Sequence, residues 1–366
     1  MDKVRFGIVG IGSFGSGHTK RIIKDVENMD LTAVCDTDPA RAEWAAENLP
    51  DIKFFDNAED MFKSGMVDAV LIATPHYDHP PLTMLAFTYG LHVLVEKPAG
   101  VYTKQVREMN VAAEKHPELV YGMMYNQRTN SLYRKMKEMI DGGELGRVRR
   151  FVWIISDWYR SQFYYDSGGW RATWKGEGGG ALINQCPHQL DLWQWIVGMP
   201  VKIMAHTHNG KWHNIEVEDD VTAYAEFANG ATGVFITSTG DAPGTNRLEI
   251  TGDCGKLVCE NDKLIFHKLS MPEQEFTKVN TKHFGKPDVE VIEVEHDGEN
   301  QQHTGVFRAF ANKILGKGEL VASGHEGIHG LMISNAIHLS SWLGKPVELP
   351  IDEDLFYEEL KKRFKD

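Results

Sequence analysis

Gly10, Gly12 and Gly15 stand in the spacing G-x-G-x-x-G, with Ser13 and Phe14 between them, directly after the apolar run "VRFGIV" and at the start of a helical pattern. In that setting each glycine has a task. The first permits a tight turn, the second lets backbone come close to a pyrophosphate, and the third allows close helix–strand packing. The N–H groups that open the helix then hold the phosphates. A glycine triplet alone also occurs in methyltransferases and plain turns. Here Asp36 ends the second strand about twenty residues on, where a dinucleotide site needs a carboxylate. It would accept hydrogen bonds from the ribose hydroxyls and repel a 2′-phosphate, which favours NAD over NADP. Two other readings stay open: Arg41, one turn further on, could reach a 2′-phosphate, and Asp36 could be a strand-end turn residue in "CDTDP".

Two more side chains have the chemistry of a reacting site. Lys97 closes "HVLVEK" at the carboxyl end of a strand-like run, among apolar neighbours, which suits a ligand better than bulk solvent. His188 stands in "GEGGGALINQCPHQLDLWQW". On one continuous helix, Asn184, His188, Asp191 and Trp195 fall within a narrow arc, while Leu182, Leu190, Trp193 and Ile196 point largely elsewhere, towards core. A polar stripe on a buried helix calls for partners, because an unsatisfied buried polar group costs ~1–3 kcal/mol. A histidine hydrogen-bonded within the core fits the same pattern.

These residues need a scaffold. The first third alternates strand-like runs ("VRFGIVG", "LTAVCD", "KFF", "DAVLIAT", "HVLVEK", "LVYGMMY") with helical segments such as "TKQVREMNVAAEK". The β-α repetition implies a doubly wound parallel sheet with right-handed crossovers, placed at residues 1–124. From 125 to 366 the texture is that of an α+β domain with an open antiparallel sheet. A helix, "SLYRKMKEMIDGG", is followed by long alternating runs such as "GRVRRFVWIISDW", "VTAYAEF" and "ATGVFITST". The stretch from Pro272 to Gln302 reads as polar and loop-rich. A last helix, about 329–343, is expected to pack back towards the first domain.

Composition bounds the function. With 39 basic against 52 acidic side chains, the net charge is −13. That argues against a nucleic-acid partner, which needs clustered Lys and Arg. No apolar run approaches the ~18 residues of a membrane span and none resembles a signal peptide. Cys35, Cys186, Cys254 and Cys259 lack C-x-x-C spacing, so four reduced thiols in a cytoplasmic protein are expected. No metal is expected either. His206, His208 and His213, and His325 with His329, lack a metal-binding arrangement such as the glutamate placement of H-E-x-x-H.

The runs "LIATPHYDH" and "VLVEKPAG", together with the glycine fingerprint and the later sheet, resemble the Gfo/Idh/MocA family of oxidoreductases over nearly the whole chain. Glu96-Lys97-Pro98 is the most specific mark. The resemblance implies that Thr74 and Pro75 line the nicotinamide side of the cofactor, that Glu96 contacts its ribose, and that His79 and Asn126 join the cofactor contacts. It implies that Lys97 points at the reacting carbon, often beside a cis Lys97–Pro98 bond. The family's Asp-x-x-x-His falls here on Asn184 and His188. His188 is then the base for a sugar-like alcohol, Lys97 stabilises the developing alkoxide, Asn184 contacts a substrate hydroxyl and Asp191 orients the imidazole or lies on the helix surface.

Upstream, Trp158, Tyr159, Phe163, Tyr164, Tyr165, Trp170 and Trp174 are interleaved with Asp157, Arg160 and Arg171. Trp158, Tyr159, Trp170 and Arg171 are the expected saccharide contacts, and about half of the rings are expected in core or interface. The reading is an NAD-dependent dehydrogenase of a sugar, glycoside or polyol, with the pyranose C3 hydroxyl one candidate. A glycosidase using transient oxidation and a catalytically silent nucleotide sensor are the alternatives. A homo-oligomer (dimer, tetramer or higher) is expected from the apolar residues on both faces of strands such as "ATGVFITST".

Overall fold

In the computed structural model, which describes residues 2–365, the chain divides into two compact units. The first takes the chain up to Thr129 and again Gln301–Leu331; the second takes Asn130–Asn300 and the chain from Met332 on.

The first unit holds six strands: β1 (Val4–Val9), β2 (Met29–Cys35), β3 (Lys53–Phe55), β4 (Ala69–Ile72), β5 (His92–Val95) and β6 (Tyr121–Met123). They form one sheet in the order β3-β2-β1-β4-β5-β6, and every neighbouring pair is parallel. The order reverses direction between β1 and β4, which opens a crevice at their carboxyl ends. Ile8, Val70, Leu71, Val93 and Val95 are fully buried, as befits strands covered on both faces. The crossovers are α1 (Ser13–Asp25), α2 (Pro39–Asn48), α3 (Ala58–Lys63), α4 (His79–Thr88) and α5 (Thr103–Glu114). Asp38 caps α2 and Asn57 caps α3 through their side chains, which fixes where the chain turns from strand to helix.

A single boundary at residue 124 does not describe this unit. Gln302–Ile314 is a helix whose Val306, Phe307, Phe310 and Ala311 belong to the same core as Phe6, Ile8 and Leu94. Phe6 meets Phe307 and Phe310 edge-on at 5.9 and 6.2 Å between ring centroids. The polar stretch before this helix separates it from the other apolar runs, so its sequence gives little notice of where it packs.

The second unit is built on a nine-stranded sheet. Its strands are β7 (Val148–Ile155), β8 (Lys202–Asn209), β9 (Glu218–Glu226), β10 (Thr232–Ser238), β11 (Asn246–Gly252), β12 (Gly255–Glu260), β13 (Lys263–Leu269), β14 (Val289–Glu293) and β15 (Val347–Glu348). They run in the order β14-β13-β12-β11-β7-β10-β9-β8-β15, antiparallel except for β7 beside β10. The stretch from Pro272 to Gln302 is thus not all loop: it supplies the edge strand β14 and a helix, Glu273–Val279. Helices α6 (Ser131–Asp141), α7 (Gln162–Asp166) and α8 (Pro187–Val197) precede or follow β7 in the chain. Trp193 of α8 stacks on Phe151 of β7 at 4.9 Å and lies 5.8 Å from Phe235 of β10. On other sheet positions Tyr224, Val289 and Val291 are exposed. The last long helix, Gly327–Leu343, has Gly327–Leu331 in the first unit and belongs to the second from Met332 onward. Its Ser340 and Ser341 accept the backbone N–H groups of Ala205 and Thr207 on β8. No helix among the described residues is long and apolar enough to cross a membrane.

Candidate functional site

In the first unit the glycine turn has the geometry its sequence requires. Gly10 lies at φ +90°, and a Cβ there would sit 2.6 Å from the carbonyl oxygen of Ala73. A Cβ on Gly15 would come within 1.9 Å of the Gly10 carbonyl oxygen. Neither position admits a side chain without moving backbone. A Cβ on Gly12 would meet nothing within 4 Å, so that glycine leaves open space where α1 begins, and no side chain caps this helix. Ser13 and Phe14 are exposed in its first turn. Phe14 thus leaves the buried face shared by His18, Ile22 and Val26; its ring lies 5.7 Å from Lys97 Nζ.

Asp36 takes the strand-end turn role considered for it. Its carboxylate accepts the Ile11 N–H at 2.8 Å and the Asp38 N–H at 3.0 Å, which ties the glycine turn to the entry of α2. Arg41 lies half-buried on α2. At the end of β4, Thr74 and Pro75 are followed by buried His79, whose ring nitrogens lie 2.7 Å from the Pro98 carbonyl and 2.8 Å from the Thr74 carbonyl. His79 therefore braces the two strand-end loops against each other, and burial holds its pKa below the usual histidine value.

Glu96 is buried and engaged inside the protein. His18 Nε2 lies 2.7 Å from one carboxylate oxygen, and the Lys97 N–H donates to the other at 3.1 Å. Arg21 Nη1 stands 2.8 Å from His18 Nδ1. A guanidinium only donates, so Nδ1 is the acceptor and Nε2 carries the proton given to Glu96. Burial pushes the Glu96 carboxyl up, but the His18 hydrogen bond and the nearby positive groups outweigh it and leave the pKa at about 2. His303 stacks 5.1 Å from His18, and burial lowers its pKa to about 4.

His18, Glu96 and His303 are also the one group among the described residues with metal-ligand spacing, their donor atoms lying within 4.8 Å of one another. The proton on His18 Nε2 and the Arg21 cation suit a hydrogen-bonded carboxylate better than a metal cage. The histidines weighed from sequence lie elsewhere. His206 and His208 are exposed on β8, and His213 is held by Asp219 and the Arg160 carbonyl.

The fit of this surface to a dinucleotide can be tested on its own atoms. Thr74 Oγ1 and Asn126 Oδ1 are buried and have no hydrogen-bond partner within the protein. Asn126 itself is held through Nδ2 by Gln302. Buried orphan acceptors are rare in folded proteins, and two at expected cofactor positions fit a bound polar ligand. The Lys97–Pro98 bond is cis.

The second unit holds the other set. Ala181–Gln185 is a π-helical turn, and α8 begins afresh at Pro187, whose missing N–H costs nothing there. The single helix drawn through Asn184 and His188 is therefore broken, and the shared arc covers only His188, Asp191 and Trp195 on α8. Asp191 is buried, not on the surface, and accepts from Gln194 Nε2 at 3.0 Å. Asn184 donates through Nδ2 to Glu177, a buried carboxylate that the sequence reading passed over. A lone acid inside a glycine run was the available signal. Glu218 and His338 were missed as well. Glu218 accepts the Gly180 and Leu182 N–H groups at 2.9 Å each and lies 3.1 Å from His338 Nε2.

Of the aromatic segment, Trp158, Tyr164 and Trp170 come together around Arg160 and Arg171. Arg171 lies over Tyr164 and Trp170 at 4.8 and 5.0 Å and donates to the Tyr164 hydroxyl at 2.8 Å. Arg160 lies over Trp158 and Tyr164 at 5.5 and 5.0 Å. Tyr159 is exposed beside them and its carbonyl accepts from Arg160. Tyr165 and Trp174 are core residues.

Comparison with known proteins agrees with both halves. Residues 4–123 match the model described as oxidoreductase family, NAD-binding Rossmann fold, and residues 133–258 match the GFO/IDH/MocA C-terminal domain. The chain belongs to the Gfo/Idh/MocA family. Inositol 2-dehydrogenase of Corynebacterium glutamicum (strain R) is 33% identical over 148 residues, which is 40% of this chain and 43% of that protein. The match thus spans less than half the length of that relative. D-glucoside 3-dehydrogenase of Escherichia coli (strain K12) is 25% identical over 94% of this chain and 97% of its own. The WlbA dehydrogenase of Bordetella pertussis, solved with NADH and UDP-GlcNAcA, aligns at TM-score 0.81 and 26% identity, covering 96% of this chain and 100% of its own.

Proposed function

We propose that this protein is an NAD-dependent dehydrogenase that oxidises a secondary alcohol of a sugar, glycoside or polyol, the pyranose C3 hydroxyl being one candidate. The observation that carries the reading is Lys97. Its cation stands at the carboxyl end of β5, its backbone N–H is held by an ionised, buried Glu96, and it shares a unit with an open, uncapped glycine turn. Three relatives whose names or bound molecules are inositol, glucoside and nucleotide-sugar compounds support the substrate class.

Bound NAD supplies the hydride acceptor. Gly10, Gly12, Ser13, Phe14 and Gly15 would hold its phosphates, Asp36 the adenosine ribose, and Thr74, Pro75, Glu96 and Asn126 the nicotinamide half. His188 takes the hydroxyl proton, and Lys97 stabilises the alkoxide as its charge develops. That charge is absent from the ground state, so the interaction lowers the barrier. Asn184 and the cluster of Trp158, Tyr159, Trp170 and Arg171 orient the carbohydrate. We further infer a homo-oligomer, supported by the apolar side chains exposed on the large sheet, and a reducing cytoplasmic setting, supported by four free cysteines.

The test is a screen of glycosides and inositols for NADH formation, followed by product analysis. A ketosugar formed in step with NADH is expected. Released aglycone with no net NADH would replace this reading with a redox-dependent glycosidase.

A further inference from the structure

The proposed chemistry makes no use of His18, yet this histidine is only 1% exposed and lies where two elements of the first unit meet. It belongs to α1, the helix whose open first turn would take the pyrophosphate, and it reaches across to the end of β5. Nε2 gives its proton to one oxygen of Glu96 at 2.7 Å, and the other oxygen accepts the Lys97 N–H at 3.1 Å. One buried carboxylate thus joins a side chain of the phosphate-binding helix to the backbone of Lys97.

The imidazole has little freedom. Arg21, one turn further along α1, donates to Nδ1 at 2.8 Å, which keeps the proton on Nε2. Phe307 meets the ring edge-on at 5.3 Å and His303 lies 5.1 Å away, both on the helix Gln302–Ile314. Glu96 is anchored too, since its own N–H bonds the Ile72 carbonyl at 2.9 Å. Pro98 has no N–H, so the Lys97 amide is the one backbone donor between Glu96 and Ala99. Its acceptor is the carboxylate that His18 holds.

We propose that His18 is a positioning residue for Lys97: together with Arg21 it fixes the Glu96 carboxylate, and through that carboxylate it sets the Lys97 backbone relative to α1. This rests on the reading of Lys97 as the group that stabilises the alkoxide. The helix that takes the cofactor's phosphates and the lysine that acts on the alcohol are then placed from one common point. Placement of this kind matters to rate, because an error of about 1 Å can cost about a hundredfold.

The same contact keeps Glu96 an acceptor. Burial pushes its carboxyl up, and the His18 hydrogen bond is the foremost of the effects that bring it down. Without that donor a buried carboxylate loses part of its support, and it turns away or takes up a proton. Either change loosens the Lys97 amide.

The experiment compares the unmodified protein with His18→Gln, His18→Leu, Arg21→Met, Lys97→Met and the double variant of His18→Leu with Lys97→Met. Each is assayed for NADH formation with myo-inositol and methyl β-glucoside and for NAD affinity by protein fluorescence. Exchange of the Lys97 amide is followed by mass spectrometry. A neutral amide has a donor end for Glu96 and an acceptor end for Arg21, so His18→Gln should keep kcat within about threefold. His18→Leu should lower kcat at least about tenfold, while KM and NAD affinity change less than about threefold. Its Lys97 amide should exchange at least about tenfold faster. Arg21→Met, at a half-buried position, should move kcat and exchange in the same direction, and it decides the matter if His18→Leu does not fold. In the double variant kcat should match that of Lys97→Met within about twofold, because His18 acts on rate through Lys97. A merely structural histidine would lower both backgrounds by the same factor. An unchanged kcat in His18→Leu, or equal losses in the two backgrounds, overturns the proposal. If neither probe is oxidised, or Lys97→Met turns over normally, the reading of Lys97 fails instead. Lys97 amide exchange as slow in His18→Leu as in the unmodified protein would then still refute the link from His18 to that backbone.

Discussion

Glu96 and His303 show how single side chains set the pH behaviour of this protein. Glu96 has a folded pKa of about 2, below its ordinary value, so its stabilisation is complete above the unfolded value and is lost as pH falls towards 2. His303 has a folded pKa of about 4, below its ordinary value of 6.5, so the unfolded chain binds the extra proton between those limits. Both effects make stability rise with pH on the acid side. Urea titrations should therefore show an unfolding free energy that increases from about pH 4 to pH 6.5, with a smaller slope in His303→Gln. His79 and His92, also lowered by burial, add to that slope, while Glu177, Asp78 and Asp157, raised by burial, oppose it. A slope of opposite sign would contradict the burial of these rings. Asp36 gives the second expectation at this scale. NAD should bind more tightly than NADP, and Asp36→Asn should narrow the gap while keeping an acceptor for the Ile11 or Asp38 N–H. Equal affinities in the unmodified protein would shift attention to Arg41.

Among the elements, what could be read from sequence was whatever local pattern and chemistry specify together. Apart from the half-exposed β3, the strands of the parallel sheet are short, mostly buried runs bounded by turn residues, and the glycine turn needs its own sequence to exist. The break between Asn184 and His188 was not legible. A π-helical turn followed by α8 has nearly the composition of one helix, and only Pro187 hints at the restart. Glu177 was invisible for a related reason, since its partner Asn184 is fixed by that turn rather than by spacing. The helix Gln302–Ile314 was missed because tertiary packing, not periodicity, decides where it lies. Its Phe310 is fully buried against Phe6, so Phe310→Ala should cost about 3–5 kcal/mol in urea unfolding. A loss below about 1 kcal/mol would mean that this helix is not part of the first unit's core.

At the scale of the whole molecule, the chain carries a charge of −13 and exposes Tyr224, Val289 and Val291 on strands of the nine-stranded sheet. Exposed apolar side chains on a sheet favour a protein partner, and a second copy of the chain is the expected one. Light scattering at micromolar concentration should give a multiple of 41.3 kDa; a monomer would overturn the oligomer. The central claim, that Lys97 and His188 carry a dehydrogenase reaction, has a more direct test. Turnover and NAD affinity should be measured side by side for Lys97→Met and His188→Ala, using whichever glycoside or inositol the screen shows to be oxidised. The account predicts a turnover lower by ~10²–10⁴-fold in each, with NAD affinity retained, because neither side chain belongs to the phosphate-binding turn. Oxidation by His188→Ala at the unmodified rate would contradict it.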